Sequence, residues 1–534
     1  MPAPNASQKI EAIPLKMAGG NKFGRYPKIS DEQTCNMIVS DGALVDYAAY
    51  ENVLTQSTNS IGRAIYSSSV GNIMVVVWGS QVYSIDQYLT PHVIGNLETS
   101  SGDVYISENN NYEIAITDGV HLYVFNYKVP TTPILKVSGV DFNIGTFPVT
   151  TPGYISFQNS RLIIVDLFTQ HWYLSGLNAA TVWSSSANQQ GSFQSKPDTI
   201  QAAVPTPGGG NNLVVFGNNV VELWQDLGLA LFPYQRNTTY DVDYGTLNAS
   251  SIASLDRFIV WLAANEQSGA VIMIYSGNET KQISTDGINF KLANLTNPHN
   301  CNGFLFKQDG HIIYQFTFPD DNLSYAYDIN TDLFFTVTDE NLNYHIAHNV
   351  VFFNNYYYFV SFKGGNLYRF GTQYTNFKYD SQTILQMPRF RIPEPFRLPT
   401  QRMFIIKSLS FTLENGQPNN IETFTNVSNA ETDISTEDLQ FITTEDNEFL
   451  VTETYDPVIS YSYTISSESV DLSISRDGGE NFGNSLSLAM NPVGIRKSRF
   501  IYQRLGQAND ITVQLRFNGF GRFVIFDGLL EIYQ

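Results

Sequence analysis

From about residue 60 to 385 the chain repeats one pattern: a run of four to six apolar residues, a short polar turn, then an alternating run rich in aromatics. The copies include NIMVVVWGSQVYSID from Asn72, NYEIAITDGVHLYVF from Asn111, SRLIIVDLFTQHWYL from Ser160 and NNLVVFGNNVVELWQ from Asn211, and three more begin at Asp256, Asp309 and Asn349. Successive starts lie 39, 49, 51, 45, 53 and 40 residues apart, the blade period of propeller arrays rather than that of solenoids. Side chains of a strand alternate between its faces, so each copy supplies two adjacent strands of an antiparallel meander. The outer strands fall in less patterned intervals such as 263–283. A β-propeller of six or seven blades is expected over residues 56–386. A pair of stacked β-sandwiches is the competing architecture at this strand density.

Composition agrees with an all-β chain: 31 Tyr and 36 Phe bring aromatics to 13%, beside many turn-forming residues. Fifty acids against 30 bases give a formal charge of −20, which opposes a role in coating nucleic acid, because phosphate neutralisation needs surplus cations. Two cysteines far apart, Cys35 and Cys301, make neither a disulfide framework nor a metal pattern. The N-terminus lacks the layout of a signal peptide and no apolar run approaches the roughly 20 residues of a membrane span, so no membrane is expected among the partners.

The two ends differ from the middle. Residues 1–55 show little periodicity and many turn formers, and are expected to be an extended N-terminal arm packed on something larger. At about residue 387 the run MPRFRIPEPFRLPTQRMF carries four prolines and reads as an extended linker, placing a domain boundary there. Residues 387–534 are expected to form an antiparallel β-sandwich, from the alternation in Leu472/Ile474, Ile511/Val513/Leu515/Phe517 and Phe523/Ile525. Between Lys407 and Arg476 no base occurs among thirteen acids, which marks an acidic insertion at about 414–456. A Ca²⁺ site is the sharper reading of that tract, but its spacing matches no EF-hand loop and its Thr-Glu-Asp-Asn lacks the turn glycine, so a solvated protrusion is expected instead.

Few residues suggest chemistry. SRDGGENF, with Ser475, Asp477 and Gly479, fits the Asp-box pattern S-x-D-x-G-x-x-W with Phe482 for Trp, and STDGINF from Ser284 is a near miss one residue shorter. The Asp box is a hairpin device whose carboxylate and hydroxyl bond turn amides, so a structural turn is expected. His345 and His348 would face opposite sides of a strand, His299 and Cys301 lack companion ligands, and the glycines after Pro207 precede a strand and lack the Gly-Lys-Ser/Thr of a phosphate loop. No metal or other cofactor is expected, and no nucleophile–base spacing calls for an enzyme. Arg496, Lys497, Arg499 and Arg504 form the local excess of positive charge near the C-terminus. They read equally as a charged strand edge that discourages aggregation and as a docking site for an acidic partner.

Both ends also carry a resemblance. LKMAGGNKFGRYPKISDEQTCNM, through Gly19, Gly20, Arg25, Ser30, Gln33 and Asn36, and the C-terminal succession of the DGG turn, the basic run and Arg504-Leu505-Gly506, resemble the packaged-DNA stabilisation proteins, the tail hub or nozzle subunits of short-tailed phages like P22. The resemblance implies a structural virion subunit, assembled in the host cytoplasm as a homohexameric ring below the portal and its adaptor. Such a ring extends the DNA channel, retains the packaged genome until ejection, lets DNA pass without sequence-specific binding, and attaches a needle, fibre or tailspike. The competing function is a carbohydrate-binding or glycoside-hydrolysing propeller of the Asp-box type.

Overall fold

The computed structural model describes residues 10–533 except 26–30, 58–59, 69, 130–134, 143–146, 209, 230, 268, 278, 372–376, 381–382, 399–401, 416–421, 425–460, 464–468, 491–496 and 520–522. The chain is all-β, with one α-helix, Asp286–Ala293, among the described residues.

Six sheets of consecutive antiparallel strands follow one another along residues 62–96, 105–137, 152–192, 200–242, 253–282 and 302–336. A seventh is composite: Ala347–Phe353, Tyr356–Ser361 and Gly365–Phe370 are completed by Tyr50–Ser57, which pairs antiparallel with Gly365–Phe370 (Tyr50 opposite Phe370). The seven repeat copies correspond one to one with these sheets and supply chiefly their second and third strands. Several copies begin at a left-handed turn residue, as at Asn72 (φ 50°), Asp256 (φ 54°) and Asp309 (φ 50°), residue types that tolerate that region best after glycine. Neighbouring sheets share cores: Ile163, Trp172 and Leu174 of the third pack with Val215 and Trp224 of the fourth. Closing the ring with a strand from the far end of the repeat region joins two termini of the array by main-chain hydrogen bonds, so the array has no free end at that sheet.

The C-terminal region is a sandwich of two sheets. One holds Phe404–Asn415, Phe523–Tyr533 and Lys497–Gln503, and the other Asp510–Asn518, Ser469–Ser475 and Leu486–Ala489. Leu409, Phe411 and Ile525 of the first meet Leu472, Leu515 and Phe517 of the second in one apolar core. The N-terminal segment is woven into this sandwich. Ile10–Leu15 pairs with Phe523–Tyr533 (Ile10 opposite Tyr533), and Ala43–Asp46 joins the same strand.

The stretch expected to be a linker is a correction. Arg389–Ile392 is a buried strand between Gln33–Cys35 and Asp510–Asn518, and through Gln33–Cys35 the sandwich sheet continues into the sixth propeller sheet, with Cys35 opposite Thr336. Pro388 and Pro393 lie just outside the pairing residues, so neither removes a ladder donor from this strand. The near-miss STDGINF is likewise no hairpin: Thr285 caps the helix Asp286–Ala293, its hydroxyl accepting from the Ile288 amide. Nearly all of the acidic tract 414–456, and Ser30, lie outside the described residues.

Candidate functional site

The innermost strands of the propeller converge on an axial cavity of about 210 Å³, lined by residues such as Ala64, Tyr105, Tyr154, Ser250 and Asn349. That is smaller than the usual pocket for an organic ligand. Asn349, Tyr105 and Ser250 on its lining are already hydrogen-bonded. Asn349, held at φ 56°, donates to the Arg63 carbonyl (3.2 Å) and accepts from Asn302 (3.0 Å), while the Tyr105 and Ser250 hydroxyls lie 3.1 Å apart. Burial pushes the Tyr154 hydroxyl up to about 12 and the Tyr105 hydroxyl further still, so neither supplies a nucleophile near neutral pH. Arg63 is itself buried beside the cavity and donates to the carbonyls of Gly79, Thr99, Ser101 and Gly102, fixing the connection between the first two sheets.

Among the described residues no group of three His, Cys, Asp or Glu side chains could hold a metal ion. Cys35 and Cys301 are both free and buried, and burial raises the Cys35 thiol to about 12 and the Cys301 thiol beyond that. His345 is caged by Tyr47, Tyr50, Phe359 and Phe370, whose ring centroids lie 5.2–6.3 Å from its own. His348 instead stacks on Phe362 and bonds the Gly62 carbonyl at 2.7 Å. No helix of the described residues is long and apolar enough to cross a membrane.

The Asp-box hairpin sits in the sandwich, between Ser469–Ser475 and Leu486–Ala489, and not in the propeller. The Ser475 hydroxyl bonds Asp477 and accepts the Gly479 amide (2.9 Å), and Asp477 accepts both the backbone amide (3.1 Å) and the side-chain amide (2.8 Å) of Asn481. The bond from Ser475 and those from Asn481 hold the Asp477 carboxyl down at about 2. Gly479 has φ 94°, which a side chain rarely adopts. Phe482 tucks against Cys35, Phe390 and Ile392. The Ser475 hydroxyl and the Asp477 carboxylate are thus turned onto their own turn, while Arg476 donates to the Leu505 carbonyl (2.7 Å).

The basic residues lie together only in part. Lys497 and Arg499 alternate outward along Lys497–Gln503, whose inward side chains Phe500 and Tyr502 enter the sandwich core. Lys497 packs over the Phe526 ring at 5.0 Å and Arg499 donates to Ser410 at 3.1 Å. Arg504 ends the strand at φ 60°, and Arg496 lies outside the described residues.

Sequence reasoning missed the junction of the two domains. Arg389 and Arg391 are completely buried. Arg389 donates to both oxygens of Asp46 (3.1 Å each) and lies 4.1 Å over Phe523. Arg391 pairs with Glu32 and donates to the Met17 carbonyl (2.8 Å) and the Thr34 hydroxyl (3.0 Å). Gly20 leaves no room for a side chain there, since a Cβ would meet the Phe334 carbonyl at 2.6 Å, and a Cβ on Gly19 would push on the ends of Arg391 (2.6 Å) and Glu32 (2.7 Å). Asn36 bridges Thr338 and Pro388. Of the N-terminal residues that carry the resemblance, Gly19, Gly20, Gln33 and Asn36 therefore lie in the clasp between sixth sheet and sandwich, whereas Arg25 is exposed. A signal was present in the two arginines set two apart between prolines, which is same-face spacing in a strand.

The model of the family described as "Bacteriophage P22 Gp10, beta-propeller" matches residues 30–373. This chain belongs to that phage-stabilisation family. The match runs from the clasp through the seventh propeller sheet, and it gives the chain a structural, DNA-stabilising role in a phage. No curated protein sequence matches. Among solved structures, virginiamycin B lyase from Staphylococcus aureus aligns at 10% identity and TM-score 0.41, covering 60% of this chain and 99% of its own. The N-terminal domain of Nup159 aligns at 9% identity and TM-score 0.37, covering 60% and 98%. The computationally designed Ika8 protein aligns at 10% identity and TM-score 0.36, covering 67% and 100%.

Proposed function

We propose that the chain is a tail subunit that forms a ring, six copies in number, below the portal and its adaptor, where it continues the DNA channel, retains the packaged genome and carries the distal tail parts. The family match over residues 30–373 is the observation that carries this reading. Charge supports it: at −20 per chain, six copies carry roughly −120, and acids facing a lumen let DNA pass without sticking. The cavity on the propeller axis is far too narrow for duplex DNA, so the channel is the opening enclosed by the ring and not the bore of one propeller. Assembly in the host cytoplasm onto an already placed adaptor keeps the ring from closing early. A cryo-EM reconstruction of the particle that encodes this chain tests the reading. Copies placed in a ring under the portal are expected, with acidic side chains toward the lumen. A position in the capsid shell, or a lumen lined by basic side chains, overturns it.

A further inference from the structure

A second opening, of about 210 Å³, lies between the sixth and seventh sheets. Two hairpin turns flank it. Asp309 and Gly310 join Asn302–Gln308 to His311–Phe318, and Asn354 and Asn355 join Ala347–Phe353 to Tyr356–Ser361. A file of rings leads into it from solvent: Phe352, Tyr357, Phe306 and Phe370, with successive centroids 5.0, 5.9 and 4.8 Å apart. Phe306 and Phe370 are buried at the inner end and Tyr357 is half-buried, whereas Phe352 at the outer end is 54% exposed. Core packing accounts for the inner rings and leaves the outer one open.

The polar groups along the opening fall into two sets. Three are engaged within the chain. Gln308 accepts the Ala48 amide (3.0 Å) and donates to the Asp46 carbonyl (2.9 Å), Lys307 is paired with Asp256 (2.7 Å), and the Tyr357 hydroxyl accepts the Lys307 amide. The Asp309 carboxylate and the Asn355 carboxamide are exposed and have no hydrogen-bond or ionic partner among the described residues. Their left-handed backbones, at φ 50° and 69°, account for an Asp and an Asn at these positions and leave the side-chain polar atoms unused.

Charge narrows the class of ligand. An anion meets Asp309 on a chain of −20, and a cation meets Lys307, which acts on the Tyr357 hydroxyl more strongly than its partner Asp256 does. The groups complement a neutral ring with a C–H face and hydroxyls. Aromatic faces are negative and attract polarised hydrogens, a carboxylate accepts only, and a carboxamide both donates and accepts. We propose that the cleft between the sixth and seventh sheets binds one neutral pyranose unit of a saccharide, its C–H face on Phe352 and Tyr357 and adjacent hydroxyls on Asp309 and Asn355. The volume, below the roughly 300 Å³ at which organic-ligand pockets begin, suits a single ring. The site is separate from the Asp-box hairpin, whose polar side chains are turned onto their own turn in the sandwich. It also stands apart from the placement in a tail: either can fail without the other.

The test applies saturation-transfer difference NMR to the full chain with the methyl pyranosides of glucose, galactose, mannose, rhamnose and N-acetylglucosamine, at about 10 mM each because a one-ring site this open binds in the millimolar range. At least one is expected to receive saturation, most strongly at its ring C–H protons. Asp309→Asn with Asn355→Gly keeps both left-handed turns and is expected to reduce that signal about fivefold or more, as is Phe352→Ser, with unchanged far-UV dichroism. Asn354→Gly, in the same turn but off the cleft, is expected to retain it. No saturation of any of the five glycosides, a signal that survives the double substitution, or an equal loss in Asn354→Gly overturns the proposal. So does saturation of N-acetylarginine amide, in place of the glycosides, that Asp309→Asn abolishes, which reassigns the cleft to a basic side chain.

Discussion

Replacing His345 by phenylalanine removes a built-in acid lability from the sheet that closes the ring. The imidazole is about 1% exposed; its Nδ1 accepts the Ala347 amide at 3.2 Å, and its Nε2 has no hydrogen-bond partner among aromatic neighbours. Burial lowers its pKa from 6.5 to about 3, against the weaker pull of Asp339, whose own carboxylate is tied to Lys363 at 3.0 Å. A base whose folded pKa lies below its unfolded value binds more protons when unfolded. Its contribution is therefore complete above about pH 6.5, is lost as pH falls, and is fully lost near pH 3. Between pH 7.5 and 5 the loss from this ring is about 2 kcal/mol, and each further unit down to about pH 4 costs about 1.4 kcal/mol. Urea unfolding followed by dichroism at both pH values measures it. The variant is expected to lose about 1 kcal/mol at pH 7.5 with the Ala347 bond, and to fall by about 2 kcal/mol less than wild type on going to pH 5. If the two proteins weaken in parallel, the ring is not held neutral, and the reasoning fails.

Other perturbations follow from the same geometry. Arg391→Met leaves the buried Glu32 carboxylate with only the exposed Lys22 ammonium (3.0 Å) as ionic partner and is expected to cost about 3 kcal/mol, with part of the loss recovered when Glu32→Gln is added; urea midpoints of the two variants check this. Gly287→Ala drives a Cβ to 1.9 Å from the Phe23 carbonyl, so the N-terminal segment must leave the helix, and proteolysis near Phe23 should accelerate. Asp477→Asn is expected to speed hydrogen exchange at the Gly479 and Asn481 amides while leaving the propeller amides unchanged. Since the Asp477 carboxyl is held at about 2, wild type should approach the variant's exchange only as pH falls below about 4. Deleting residues 1–57 removes strands from both the seventh sheet and the sandwich, and dichroism should report loss of cooperative unfolding in the whole chain.

The propeller was legible because its strands are paired locally. Each hairpin joins residues a few positions apart, and its apolar run, as in Met74–Trp78, becomes a central strand that needs both faces covered. Some turn chemistry was hidden even there. Leu89, Tyr112 and Leu342 adopt φ of 62–64°, where bulky residues are rare, and a side-chain oxygen three residues earlier holds each turn, Asp86, Asn109 or Asp339 accepting two backbone amides. Nothing in the residue types at those positions announces a left-handed turn.

The basic strand and the Asp box were visible as motifs, but their surroundings were not. Lys497 and Arg499 alternate with core residues by period two, which the sequence states outright, whereas their contacts with Phe526 and Ser410 come from strands many residues away. The clasp is the extreme case. Period, alternation and composition determined an all-β chain with seven similar units, an acidic charge balance and a distinct C-terminal domain, because these depend on local patterning and on sums over residues. Only the tertiary structure decided that Tyr50–Ser57 closes the ring, that Ile10–Leu15 lies beside Phe523–Tyr533, and that Arg389 and Arg391 are buried with Asp46 and Glu32. Those pairings span hundreds of residues, and a buried guanidinium is tolerable only where the folded chain brings a carboxylate to it.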